Sequence, residues 1–273
     1  MSLPAFSLDS LTLTDTQPDE AIWAAAGAGC DTVSLWVQDP PLFPAALLTA
    51  EKEDACARAL AETGLKVATL EVFDLHSIEA LGSYRDALER GARLGATTAL
   101  TIHYSNPDKG AAADILARFA EMAGEMGLAV NLEPVAGGQT TTLAEAERLI
   151  VASGADVGIT FDPWHVIGGG GSLADIAAID VSRIRYVQLC DGPMPIPTEQ
   201  VGLGAVCERT YPGQGSFPLI EMLASLPHEV PFGVECPSLS RAQAGRSPLQ
   251  QAQEVMGAAR QLLAAAGLTV PAR

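Results

Sequence analysis

Four short apolar runs each close on a polar side chain able to hold a hard cation or move a proton. They are AVNLEP at Glu133, GITFDPWH at Asp162 and His165, RYVQLCD at Gln188, and PFGVECP at Glu235. Gaps of 29, 26 and 47 positions separate the four central residues, the first two being the length of one strand-plus-helix unit. In each run the side chains alternate, so Asn131 shares a face with Glu133, Thr160 with Asp162, Tyr186 with Gln188 and Cys190, and Gly233 with Glu235. If those faces converge, three carboxylates and an amide oxygen meet in a low-dielectric site. Their repulsion must be relieved by a cation or by protonation. Oxygen donors of this kind suit one divalent ion, Mn²⁺ or Mg²⁺ before Zn²⁺.

Softer candidates surround them. His165 is placed to orient a ligand or bind a substrate oxygen, and Arg209, in ERTYPGQG, to clamp a polar substrate. Glu71 and His103 fall on neighbouring strands as wall residues, Asp191 closes the seventh strand, and Trp36 and Trp164 offer rings to a sugar.

The elements that must position these residues follow one period. Apolar β-branched runs alternate with Ala-rich segments of helical spacing, which argues for parallel βαβ units. Strands are expected at 6–13, 31–36, 66–73, 97–104, 128–134, 157–162, 183–191 and 231–236. Helices are expected after Pro18, from the Pro-rich QDPPLFP loop to residue 63, and at 83–94, 111–126, 143–153, 173–179, 218–226 and 248–266. Segments 168–171 and 192–215 are read as loops. The phrases AAGAGCD, AETGLK, ARLGAT, GEMGLA, VASGAD and AAAGLT each put glycine where a helix stops. The class is α/β, a single (β/α)8 barrel over residues 1–273, with its site at the C-terminal ends of the strands.

Composition excludes several functions. Sixteen basic against 33 acidic residues give a net charge of −17, which repels nucleic acid and anionic membranes. Neither glycine-rich run has a phosphate-loop context. The five cysteines form no CxxC pair, and no basic n-region or long apolar run is present. A cytoplasmic protein with reduced thiols is the expectation.

The succession NLEP, ITFDPWH, VQLCD, YPGQGSFPLIEML and VEC resembles the sugar phosphate isomerase/epimerase superfamily. These are the xylose isomerase-like TIM barrels of AP endonuclease family 2, which include endonuclease IV. The resemblance covers nearly the whole chain and is strongest from Glu133 to Glu235. It implies metal ligands at Glu133, Asp162, Gln188 and Glu235, with Glu133 and Glu235 also the proton-transfer pair. His165 falls on the DxxH histidine and Arg209 on the arginine before the PGxG loop. Many sugar epimerases carry histidine where this chain has Gln188, a departure that makes the site harder and less suited to zinc. The implied activity is isomerisation or epimerisation of a polyhydroxylated small molecule by proton abstraction beside a metal-bound carbonyl. The alternatives are a lyase or dehydratase on a cyclic keto-polyol or dehydroshikimate-like compound, and a metal-free, non-catalytic barrel subunit. Endonuclease chemistry is opposed by the charge and by only four histidines. Family members also suggest a homo-oligomer, dimer or tetramer.

Overall fold

The computed structural model describes residues 3–37 and 43–270. Eight parallel strands close into a barrel: β1 (Phe6–Leu8), β2 (Thr32–Trp36), β3 (Lys66–Asp74), β4 (Thr98–Ile102), β5 (Ala129–Glu133), β6 (Val157–Phe161), β7 (Ile184–Leu189) and β8 (Phe232–Val234). Closure comes from β8 pairing with β1, Gly233 beside Ser7. Helices of the outer ring are α1 (Pro18–Gly27), α2 (Glu53–Thr63), α3 (Ile78–Arg93), α4 (Lys109–Gly124) and α5 (Leu143–Ser153). The remainder are α6 (Pro163–Gly168), α7 (Leu173–Ala177), α8 (Gln200–Cys207), α9 (Leu219–Ser225), α10 (Leu239–Gln243) and α11 (Pro248–Ala265). The expected (β/α)8 barrel is the observed one.

Glycine stops the helices as its spacing predicts. Gly29, Gly64, Gly95, Gly127, Gly154 and Gly267 all have φ between 69° and 82°, the left-handed region that a side chain disfavours. At the other ends, Ser77 accepts the Ala80 N–H and starts α3 five residues before the expected Ser83.

The structure also corrects other expectations. β1 stops at Leu8, and Ser10–Leu13 winds into a 3-10 turn, because the Ser10 N–H turns to Ser34 Oγ at 2.7 Å. The 192–215 connection is not wholly irregular, since α8 lies within it. A further helix, α6, begins directly after β6, with Pro163 in its first turn and Asp162 accepting the Trp164 N–H. The QDPPLFP loop lies largely outside the described residues, and the helix that follows starts only at Glu53.

The hydrophobic core sits between barrel and helices. Phe6, Leu35, Leu70, Leu132, Ile159, Val187 and Phe232 face outward into it, all buried. Burying that layer is the main driving force for closure. The barrel interior is instead polar toward its top. Ser7, Asp9, Ser34, Glu71, Glu133, Asp162, Tyr186, Gln188 and Glu235 are buried there. Bonds that cross from β1 and β3 to β7 confirm the direction: Tyr186 donates to Asp9 at 2.7 Å and Gln188 to Glu71 at 3.4 Å. Gly233 makes this crossing possible, since a Cβ there would collide with Asp9 and the Tyr186 hydroxyl.

Candidate active site

Period-two alternation and parallel register bring the four strand-end residues together at the barrel top. Glu133 ends β5, Asp162 follows β6, Gln188 lies in β7 and Glu235 follows β8. None is more than 5% exposed. Arg209 joins them from the β7–β8 connection and is itself buried. Its Nη1 donates to Asp162 Oδ2 at 2.8 Å, and its Nη2 stands 3.1 Å from Glu235 Oε2. The Nε donates to Ala205 O in α8, and the guanidinium lies 5.7 Å from the Trp164 ring centre. Trp164 in turn donates to Val201 O, which ties α6 to α8 beneath the arginine. The helix missed in the sequence is what aims Arg209.

Carboxylate and amide oxygens are the donors that a hard divalent cation takes. Glu133 Oε1 and Gln188 Oε1 are buried with no hydrogen-bond partner, each at a cost of about 1–3 kcal/mol. Glu133, Asp162 and His165 present atoms within 4.8 Å of one another. Glu235 stands outside that cluster, with Oε1 accepting from Gln188 Nε2 at 3.1 Å and Oε2 facing Arg209. His165 accepts the Ala136 N–H at Nδ1, 3.3 Å away, so its own proton sits on Nε2, 3.9 Å from Glu133 Oε1. That tautomer makes it a donor for a ligand oxygen rather than a lone pair for a cation.

Burial sets the protonation of this floor. Glu133 and Glu71 are pushed well above the ordinary carboxylate range, first by burial and then by neighbouring carboxylates. Glu235 rises to about 8 through burial, against the opposing pull of Arg209. Asp162 ends lower than usual: burial raises it, but Arg209, His165 and the Trp164 N–H together outweigh that. Burial pushes His165 down to about 4, so the imidazole is neutral at pH 7. One carboxylate is thus held ionised, while others keep protons that a cation would displace.

Of the softer candidates, Trp36 and Glu71 reach the chamber above this floor. Both Glu71 oxygens are engaged, Oε2 by the Ser10 and Ser34 hydroxyls at 2.6 and 2.9 Å and Oε1 by Gln188. His103 spends its ring nitrogens on Thr140 and the Asn106 carbonyl, linking two loops. Asp191 accepts four backbone N–H groups, from Gly192, Gly213, Gly215 and Phe217, between 2.8 and 3.0 Å. It holds the PGQG loop and is not brought to the chamber. Asp9 escaped the sequence reading, though FSLD has the same form as the other strand ends. Burial raises it to about 6, and its Oδ2 has no partner.

The chamber has a volume of about 330 Å³. Its floor carries Glu133, His165, Arg209 and Glu235, and most of its wall is hydrocarbon.

A closed parallel barrel with carboxylates at its strand ends defines a class of α/β enzyme-like barrels, and comparison narrows it. The profile of the xylose isomerase-like TIM barrel matches residues 22–263. The chain belongs to that family. A 3-dehydroshikimate dehydratase of Pseudomonas aeruginosa is 30% identical over 234 residues, covering 80% of this chain and 35% of the relative. The chain therefore spans about a third of the length of that curated relative. A D-allulose 3-epimerase from Methylomonas sp., solved with D-allulose, superposes with a TM-score of 0.69 at 17% identity, covering 97% of this chain and 99% of the other. The IolI protein with a bound zinc atom gives 0.74 at 17%, covering 96% and 97%. At these identities the solved structures speak to the fold. Among the described residues no helix is long and apolar enough to cross a membrane.

Proposed function

We propose that the chain is a divalent-metal-dependent enzyme that removes a proton beside a substrate carbonyl. The observation that carries this reading is the unpartnered Glu133 Oε1, buried at the chamber floor with the Glu235 carboxyl lining the same chamber. Glu133, Asp162, Gln188 and Glu235 would hold the ion, Mn²⁺ or Mg²⁺, whose contribution is Lewis-acid polarisation of the carbonyl. The remaining work falls to the chain. Glu133 takes the proton and Glu235 returns one. His165 Nε2–H and Arg209 bind and orient substrate oxygens, and Arg209 keeps Asp162 ionised. Asp191 and Glu71 position the loop and the Gln188 amide.

Return of the proton to the opposite face gives an epimer, and return to the neighbouring carbon gives an aldose–ketose isomer. This isomerase or epimerase outcome is the first reading. The second is loss of a β-hydroxyl from the same deprotonated substrate, a dehydration. The dehydratase relative at 30% identity favours it. Solvent deuterium incorporation, screened over ketoses and cyclic keto-polyols with and without Mn²⁺, tests both. Exchange without net loss of water supports the first reading and loss of water the second. Absence of Mn²⁺-dependent exchange across the panel contradicts the proposal.

A further inference from the structure

Among the described residues that line the chamber, Tyr104 and Gly202 are the exposed ones; the others are buried or part-buried. These two therefore stand at its mouth. From each of them a regular run of residues descends to the floor. Leu100, Ile102 and Tyr104 keep the period of two along β4 and just beyond it, with exposure falling from 50% at Tyr104 to 3% at Leu100. Along α8 and just past its end, Gly202, Ala205, Val206 and Arg209 take the i, i+3, i+4, i+7 spacing of one helical face, which ends at the buried guanidinium. β4 lies across the closed barrel from the β7–β8 connection that carries α8, so the two runs face each other.

The two glycines of α8 differ in what requires them. A Cβ on Gly204 would lie 2.5 Å from the Trp164 ring, so packing demands a glycine there. A Cβ on Gly202 would meet no atom within 4 Å. Glycine weakens a helix, and at 202 no neighbour calls for it. The shared face of α8 instead sets the missing side chain over the chamber, in the mouth itself.

Both sides of that mouth are anchored. Asp74 Oδ1 accepts the Tyr104 N–H at 2.9 Å, and His103 ties the same loop to Thr140. Opposite, Trp164 donates to Val201 O at 3.0 Å and Arg209 Nε to Ala205 O at 2.9 Å. These anchors give the opening a set width.

We infer that Gly202 and Tyr104 are specificity-determining residues, the two lips of a size filter in which the room left by Gly202 sets the largest molecule that reaches the floor. The inference rests on the proposed function only for the identity of what passes. The filter itself acts on any ligand, with or without a cation on the floor.

Thiol labelling tests it without a substrate. Leu100→Cys puts a thiol at the deep end of the β4 run, and methyl and benzyl methanethiosulfonate are neutral probes that differ in size. Labelling is followed by the mass of the peptide that holds position 100, which separates it from the five native cysteines. Both probes are expected to label Leu100→Cys. Adding Gly202→Leu is expected to slow the benzyl probe about tenfold or more and the methyl probe by less than about threefold. Adding Tyr104→Ala as well is expected to restore most of the benzyl rate. Gly202→Ala alone should melt no lower than the parent, since alanine favours the helix and its methyl group meets nothing. Equal slowing of both probes, no slowing of either, no restoration by Tyr104→Ala, or no labelling at position 100 would overturn the inference. The same pattern is expected with and without Mn²⁺. A filter seen by labelling, in a protein that exchanges no substrate proton, would count against the enzyme reading alone.

Discussion

Arg209 and Asp162 form an ion pair of 2.8 Å that is almost wholly removed from water. The same guanidinium reaches Glu235 just after β8, so one cation ties two of the four strand-end residues together. Removing one partner of such a pair leaves a buried uncompensated charge, which costs about 3–5 kcal/mol. Arg209→Ala should therefore lower thermal stability sharply, and added Mn²⁺ should restore part of the loss by neutralising the same carboxylates. Melting curves with and without Mn²⁺ check this; a variant as stable as the parent would count against the pair's role.

Metal binding should release protons. Binding needs the floor ionised, yet burial holds Glu235 at about 8 and Glu133 well above its usual range. The apparent affinity for Mn²⁺ should thus rise with pH toward about 8, and titrations at pH 7 in buffers of different ionisation heat should show net proton release. For the metal-free protein the sign runs the other way. Between the unperturbed value of 4.5 and about 8 the native Glu235 binds more proton than the unfolded chain, so stability falls as pH rises through that window.

In the proposed ligand set, Gln188 sets the hardness of the site. Its amide nitrogen is directed at Glu235 and Glu71, which leaves its oxygen free. Gln188→His should raise the ratio of Zn²⁺ to Mg²⁺ affinity, as imidazole prefers the softer ion. Competition titration measures the ratio; no change would argue that Gln188 is not a ligand.

Asp191 anchors the loop that follows Arg209. With four charge-assisted bonds to backbone N–H groups, its loss should cost about 3 kcal/mol. Asp191→Ala should also speed hydrogen exchange at Gly213 and Gly215 by an order of magnitude or more, since local opening loses the clamp. Unchanged exchange at those two amides would contradict the assignment.

The barrel and the convergence of Glu133, Asp162, Gln188 and Glu235 were legible because both depend on local period. Strand alternation has a period of two, and glycine marks each helix end at a fixed place. What stayed hidden was held by distant contacts. QVGLGAVC carries two glycines in eight residues and has weak helical preference, yet α8 forms because Trp164 binds Val201 O and packs where Gly204 has no side chain. α6 has a readable start, Asp162 as N-cap followed by Pro163, set directly on the end of β6. Asp9 was lost inside an overlong first strand. The part-taking of Asp191 in a loop, rather than in the chamber, could be seen only once Gly213 and Gly215 were folded back onto it.

The most direct measurement is exchange of the substrate α-proton with D₂O, followed by NMR in the Mn²⁺- or Mg²⁺-loaded parent, Glu133→Gln and Glu235→Gln, using whichever carbonyl compound the parent turns over. Proton transfer by these two residues predicts exchange in the parent and its loss, by at least about a hundredfold, in both variants. Undiminished exchange in both would contradict it.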